Sequence, residues 1–264
     1  MNIDFDFLAD TLLKLLAALP VTLGLLVSSL IAGGLLALVI VAMRLSPLWP
    51  LNRLASGYLL LFRGSPLLIQ MFLVYYGVAQ FQAIRESFLW PLLRAPFSCA
   101  VLSLALCTAA YTAEIIRGGL QAVPHGEIEA ALSCGMSRFT LLRRIVGPIA
   151  LRYALPSYST EVVLLAKSTA LASLVTVWDM TGVAQQIIQK TYRTMEVFLC
   201  AAAIYLVLNF LIVRALAWLE AKLSPHTRAR RSTAAEPTRA VSSRESNELQ
   251  AGLTRSEPIS DSDL

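Results

Sequence analysis

Hydrophobic runs of about 20 residues recur along this chain, and its charges are concentrated between them. Lipid offers no hydrogen bonds to an open backbone, so a chain built this way must satisfy its peptide groups internally, as helices. At 264 residues, 56% hydrophobic and mean hydropathy +0.65, it is more apolar than an ordinary globular protein. The expected fold is all-α: a polytopic membrane protein with about five spans, at residues 21–43, 59–80, 96–116, 157–178 and 197–218. At a rise of about 1.5 Å per residue, the first reaches across a hydrocarbon core of about 30 Å. Its small residues Gly24, Ser28, Ser29, Gly33 and Gly34 let a neighbouring helix approach closely. Pro66, in Arg63-Gly64-Ser65-Pro66 near the start of the second span, bends or restarts that helix.

The flanks differ from this body. Residues 1–18 form a short, acidic, amphipathic segment suited to the membrane surface, lacking the positive start of a cleaved leader. Residues 19–222 make the transmembrane domain. Residues 223–264, rich in Ser, Thr, Arg and Glu, are expected to be a disordered tail. Cys99, Cys107, Cys134 and Cys200 lack metal-ligand spacing, and His125 has no metal partner, so neither metal nor cofactor is expected.

The net charge of +5 resides in residues 1–224, since the tail balances six Arg against six acids. The basic excess therefore reads as topology and not as nucleic-acid binding. Loops one and three with the C-terminal flank carry 12 Lys/Arg, against five on the opposite side. The positive-inside rule then puts the N-terminus outside and the C-terminus in the cytoplasm, together with the loop at about 117–152.

Residues 111–148 are too polar for lipid and too patterned for an idle connection. Ile128, Ala131, Leu132 and Met136 recur at helical spacing, and two adjacent alanines keep that helix slim. Gly135 suits a left-handed helix end, and Ser137 suits the cap of the next helix. Glu127 and Glu129 sit where a helix dipole favours negative charge. From the pattern alone, this is either a docking surface for a separate soluble motor or a helix resting on headgroups.

Glu129-Ala130-Ala131, three residues, Gly135, nine residues, then Ile145 and Pro148 resembles the EAA loop of bacterial ABC-importer membrane subunits. FRGSPLLIQMFLVYYG (62–77) and AYTAEIIRGGLQAVPHGEIEAA (110–131) are similar to the polar amino-acid permease branch. ALPSYSTEVVLLAKSTALASLVTVWDMTG (154–182) resembles M-type permeases for histidine, lysine, arginine and ornithine, whose branch includes octopine and nopaline permeases. One departure is Gly147, where the family usually has leucine; it should loosen the end of the loop helix.

The resemblance implies a type I importer permease fold in the bacterial inner membrane. It implies cytoplasmic ATP-binding subunits docked on Glu129, Ala130, Ala131, Gly135, Ile145 and Pro148. It also implies a second, related permease subunit and an extracytoplasmic binding protein that delivers basic amino acids or opines. No G-x-x-x-x-G-K-[ST] phosphate loop occurs, so ATP hydrolysis is expected in a separate partner subunit and this chain is expected to be a transport subunit, not an enzyme. The alternative is a secondary transporter driven by an ion gradient.

Within the spans, Glu161 and Lys167 are the charges most costly to bury, and with Thr169 they are candidates for bordering the substrate path. Glu161 would attract an ammonium or guanidinium, and Lys167 a carboxylate. The competing reading pairs each with another helix or an interface. Glu114 and Arg117, one turn apart, are expected to form a structural ion pair.

Overall fold

The structure, a computed structural model, describes residues 4–88 and 90–223, and the described residues are helical apart from short connections, with no strand. The expected tail lies outside the described residues, save Leu223, the last residue of the final helix. The described residues as far as Trp218 form one compact unit, and residues 219–223 fall in a second.

Among the described residues, three helices are long and apolar enough to cross a membrane: α1 (Phe5–Leu45), α6 (Pro96–Gln121) and α11 (Thr194–Leu223). Between α1 and α6 come α2 (Trp49–Gly64), α3 (Leu67–Phe72), and two single-turn helices, α4 (Gln82–Arg85) and α5 (Trp90–Leu93). Then follow α7 (His125–Ser133), α8 (Arg138–Leu141), α9 (Gly147–Ser168) and α10 (Met180–Thr191). A π turn, Leu142–Val146, joins α8 to α9, and a 3-10 run, Thr169–Val175, extends α9.

The five expected spans map onto these three helices and two bent pairs. The second span is not one rod. α2 and the segment Leu67–Gln80 meet at 106°, because Ser65 and Pro66 leave the helix for extended backbone. Gln70 stabilises this corner: its amide donates to the Phe62 and Ser65 carbonyls at 2.9 and 3.0 Å. A proline there leaves carbonyls without helical partners, and a buried glutamine meets that need.

Two sequence expectations are corrected. Residues 5–18 are not a separate surface segment; they open the 41-residue α1, which continues through Pro20. Their apolar side has a protein partner: buried Leu15, with Phe7 and Leu8, packs in a cluster with Met180, Ala184, Val197, Cys200 and Ile204. Arg193 fastens the same end, reaching Asp4 at 3.2 Å and lying 4.6 Å over the Phe7 ring. The Phe7 N–H and then Arg193 hold the Asp4 carboxyl below its usual range. The second correction concerns residues 179–196, which the sequence places as a loop between the fourth and fifth spans and which contain the 12-residue α10.

Asp179, fully buried, starts α10 by accepting the N–H groups of Thr181 and Gly182 at 3.2 and 3.0 Å. The Tyr205 hydroxyl lies 3.5 Å away, and Thr22 of α1 accepts the Met180 N–H at 3.1 Å. The start of α10 is thereby tied to α11 through the Asp179 carboxylate and to α1 through Thr22. Asp179→Ala is expected to destabilise the protein by about 1–3 kcal/mol, because it orphans buried donors. A lowered unfolding temperature of the detergent-solubilised protein checks this.

The centre is α6, packed between α1 and α9. α1 and α6 run in the same direction: Gly24 faces Phe97, and Gly33 lies where a Cβ would stand 3.0 Å from the Ala105 carbonyl. α9 leaves in the opposite sense, its start held against the end of α6 at Gly119. The ends near residues 45, 121 and 147 therefore share one side.

Candidate functional site: the polar loop and the charges within the spans

The loop after α6 is a helical hairpin. α7 ends in a Schellman motif: Gly135 takes φ +72°, its N–H reaches the Leu132 carbonyl at 2.9 Å, and the Met136 N–H reaches Ala131 at 3.2 Å. Ser137 then caps α8, accepting the Thr140 N–H at 3.3 Å. These two devices turn the chain back so that α7 packs on α8 and the π turn behind it, with Ala131 and Leu141 buried.

Packing buries one side of the hairpin and leaves the other open. Glu129, Ala130, Gly135 and Pro148 are exposed, while Ile145 is half-buried. Leu132, Phe139 and Leu142 are 49%, 72% and 52% exposed, an apolar stripe on a polar loop. Glu127 and Glu129 make no ion pair among the described residues. Exposed apolar side chains on a polar loop are a common feature of protein interfaces. Phe139 and Leu142 escaped the sequence reading, although their spacing of three residues puts them on one helical face.

Gly147 does not simply loosen the helix. Its N–H bonds the Leu142 carbonyl across the π turn, and a Cβ there would stand 2.8 Å from that oxygen. The widened turn and the missing side chain belong together, and the run Arg138–Val175 continues through it.

The charges within the spans separate. Glu161 is buried on α9, close to Thr108 of α6. Lys167, on a different face of α9, is exposed. Thr169 is fully buried, and its hydroxyl donates to the Ala166 carbonyl at 2.8 Å. The structure therefore does not bring the three into one pocket of this chain. The Glu114–Arg117 pair does form, bidentate at 3.0 and 2.7 Å.

With this geometry the chain can be set beside known proteins. The family described as "binding-protein-dependent transport system inner membrane component" matches residues 29–225, more than half of the chain. The octopine transport system permease protein OccM of Rhizobium radiobacter is 51% identical over 233 residues, 88% of this chain and 95% of the relative. The nopaline transport system permease protein NocM of Agrobacterium fabrum is 50% identical over 228 residues, 86% of this chain and 95% of the relative. The histidine/lysine/arginine/ornithine permease protein HisM of Salmonella typhimurium is 40% identical over 201 residues, covering 73% and 83%.

Among solved structures, an amino acid ABC transporter crystallised with histidines matches with TM-score 0.75 and 33% identity, covering 84% of this chain and all of that one. The match gives this chain the fold of a type I importer permease. Such membership favours the importer reading over the ion-gradient alternative. The chain belongs to the binding-protein-dependent transport system inner membrane components and is a multi-pass permease subunit of that class of importer.

Proposed function

We propose that this permease carries basic amino acids or opines inward, and that cytoplasmic ATP-binding subunits drive it through the α7–α8 hairpin. The observation that carries this reading is the open apolar stripe of Leu132, Phe139 and Leu142 beside the Gly135 turn. A chain without a phosphate loop needs an external source of work, and this hairpin is the surface shaped to receive it. Glu129, Ala130, Ala131, Gly135, Ile145 and Pro148 form or support that surface. A second, related permease subunit completes the path, and an extracytoplasmic binding protein supplies the substrate.

The charge asymmetry of the loops supports an outside N-terminus and a cytoplasmic C-terminus. The shared side of the α1 and α6 ends is consistent with it. Substrate class rests on the relatives named above. In this reading Glu161 supplies the negative charge felt by a cationic substrate group, while Lys167, facing away from it, meets a carboxylate at the subunit boundary. Thr169 holds the turn that follows them.

Uptake of labelled arginine, histidine and octopine in a transporter-deficient strain tests the substrate class and the path together. Glu161→Gln and Lys167→Met are each expected to weaken apparent affinity roughly tenfold, the loss of one charge-assisted contact. Unchanged affinity and selectivity in both variants would reject the assignment of these residues to the path.

A further inference from the structure

We propose that the cleft between α1, α2 and α6 binds the phosphate of an anionic phospholipid. The cleft encloses about 460 Å³ and is lined by Arg44, Ser56, Leu60, Arg63, Tyr111 and Glu114, among others. Two guanidiniums line it with donors to spare. Arg44 gives Nη1 to Asn52 at 2.5 Å and its Nε is shut away from the cleft, which leaves Nη2, without a hydrogen bond among the described residues, as its donor for a ligand. Arg63 lies 5.4 Å over the Tyr111 ring and only 3.8 Å from Glu114, too far for a good hydrogen bond.

Glu114 cannot neutralise them both. Its two oxygens are already taken by Arg117 at 3.0 and 2.7 Å. The cleft is therefore left with excess positive charge and unused N–H groups, which suits a phosphate with several acceptor oxygens. Tyr111 fixes the plane of Arg63 by cation–π contact, reducing the freedom lost on binding.

The rim decides between a lipid and a free anion. Leu60 and Leu61, on α2 in the turn before Arg63, are 77% and 62% exposed. They offer apolar surface to acyl chains at the place where the apolar run of α6 gives way to Glu114 and Arg117. A basic pocket between spanning helices, with apolar flanks, is what an anionic headgroup requires. Assigning the lipid to the inner leaflet rests on the proposed orientation; binding itself does not.

The test is native mass spectrometry of the delipidated full-length chain, titrated separately with phosphatidylglycerol, phosphatidylcholine and inorganic phosphate. Phosphatidylglycerol is expected to bind in preference to phosphatidylcholine. Arg63→Gln and Arg44→Gln should each lower its occupancy about fivefold, the effect of one arginine near the headgroup. Arg63→Lys, which keeps the charge, should retain most of it. Arg53→Gln, exposed on the same helix against Trp49, removes equal charge outside the cleft and should change nothing. Equal occupancy in the wild type and Arg63→Gln would overturn the proposal, as would equal loss in Arg53→Gln. Binding of inorganic phosphate in place of lipid would also overturn it.

Discussion

Replacing Gly135 with valine is expected to abolish uptake while the chain still inserts into the membrane. Gly135 ends α7 at φ +72°, and a Cβ built there meets nothing within 4 Å. The effect is therefore one of backbone strain and not of crowding. A side chain in the left-handed region costs about 1–2 kcal/mol, and β-branching makes valine a poor choice for it. The two bonds of the Schellman turn, from Gly135 and Met136, would be lost, and with them the angle at which α7 meets α8. The stripe of Leu132, Phe139 and Leu142 would then no longer present one surface.

Asparagine tolerates the left-handed region, so Gly135→Asn should keep substantial activity. Labelled uptake, with membrane abundance measured on the same cells, distinguishes the two variants. Normal uptake by a membrane-inserted Gly135→Val protein would count against the docking role of the hairpin.

Gly119→Leu is expected to have the largest effect on stability. A Cβ at this position would stand 2.5 Å from the Ala150 carbonyl and 2.9 Å from the Ala154 Cβ. Both neighbours belong to the opening turns of α9, and backbone cannot yield as a flexible side-chain tip does. α6 and α9 must therefore separate, a loss of about 1–3 kcal/mol or more for overpacking between helices whose contact depends on small residues. The neighbouring Gly118 faces open space. Gly118→Ala should be neutral or slightly stabilising, since alanine is the better helix former. Unfolding temperatures and size-exclusion profiles in detergent check the pair. Indistinguishable behaviour of Gly119→Leu and Gly118→Ala would show that the α6–α9 contact does not hold the bundle together.

The spans were legible because burial in lipid is written in composition: α1, α6 and α11 lack charges along their apolar stretches. The hairpin was legible because two local rules act there without tertiary help, a glycine at a helix end and a serine at a helix start. Gly135 and Ser137 obey both in the structure.

What escaped depends on contacts distant in sequence. Pro66 announced a break, but its 106° angle depends on Gln70 reaching back to Phe62 and Ser65. α10 was hidden by the mixed charges of its segment, although Asp179 stands at its cap position and Val183, Ala184, Ile187 and Ile188 keep helical spacing. The first 18 residues looked like a surface helix because their partners, α10 and α11, lie far along the chain. Thr169 looked available beside Lys167; the 3-10 turn points its hydroxyl at Ala166.

This permease is expected to be moved by ATP hydrolysis in partner subunits docked at the α7–α8 hairpin. The direct measurement is labelled-substrate uptake into proteoliposomes, with the chain reconstituted alone or with its ATP-binding, second permease and substrate-binding subunits. Uptake should require the full set and ATP, and a proton or sodium gradient should not replace them. Gradient-driven uptake by the chain alone would contradict the claim.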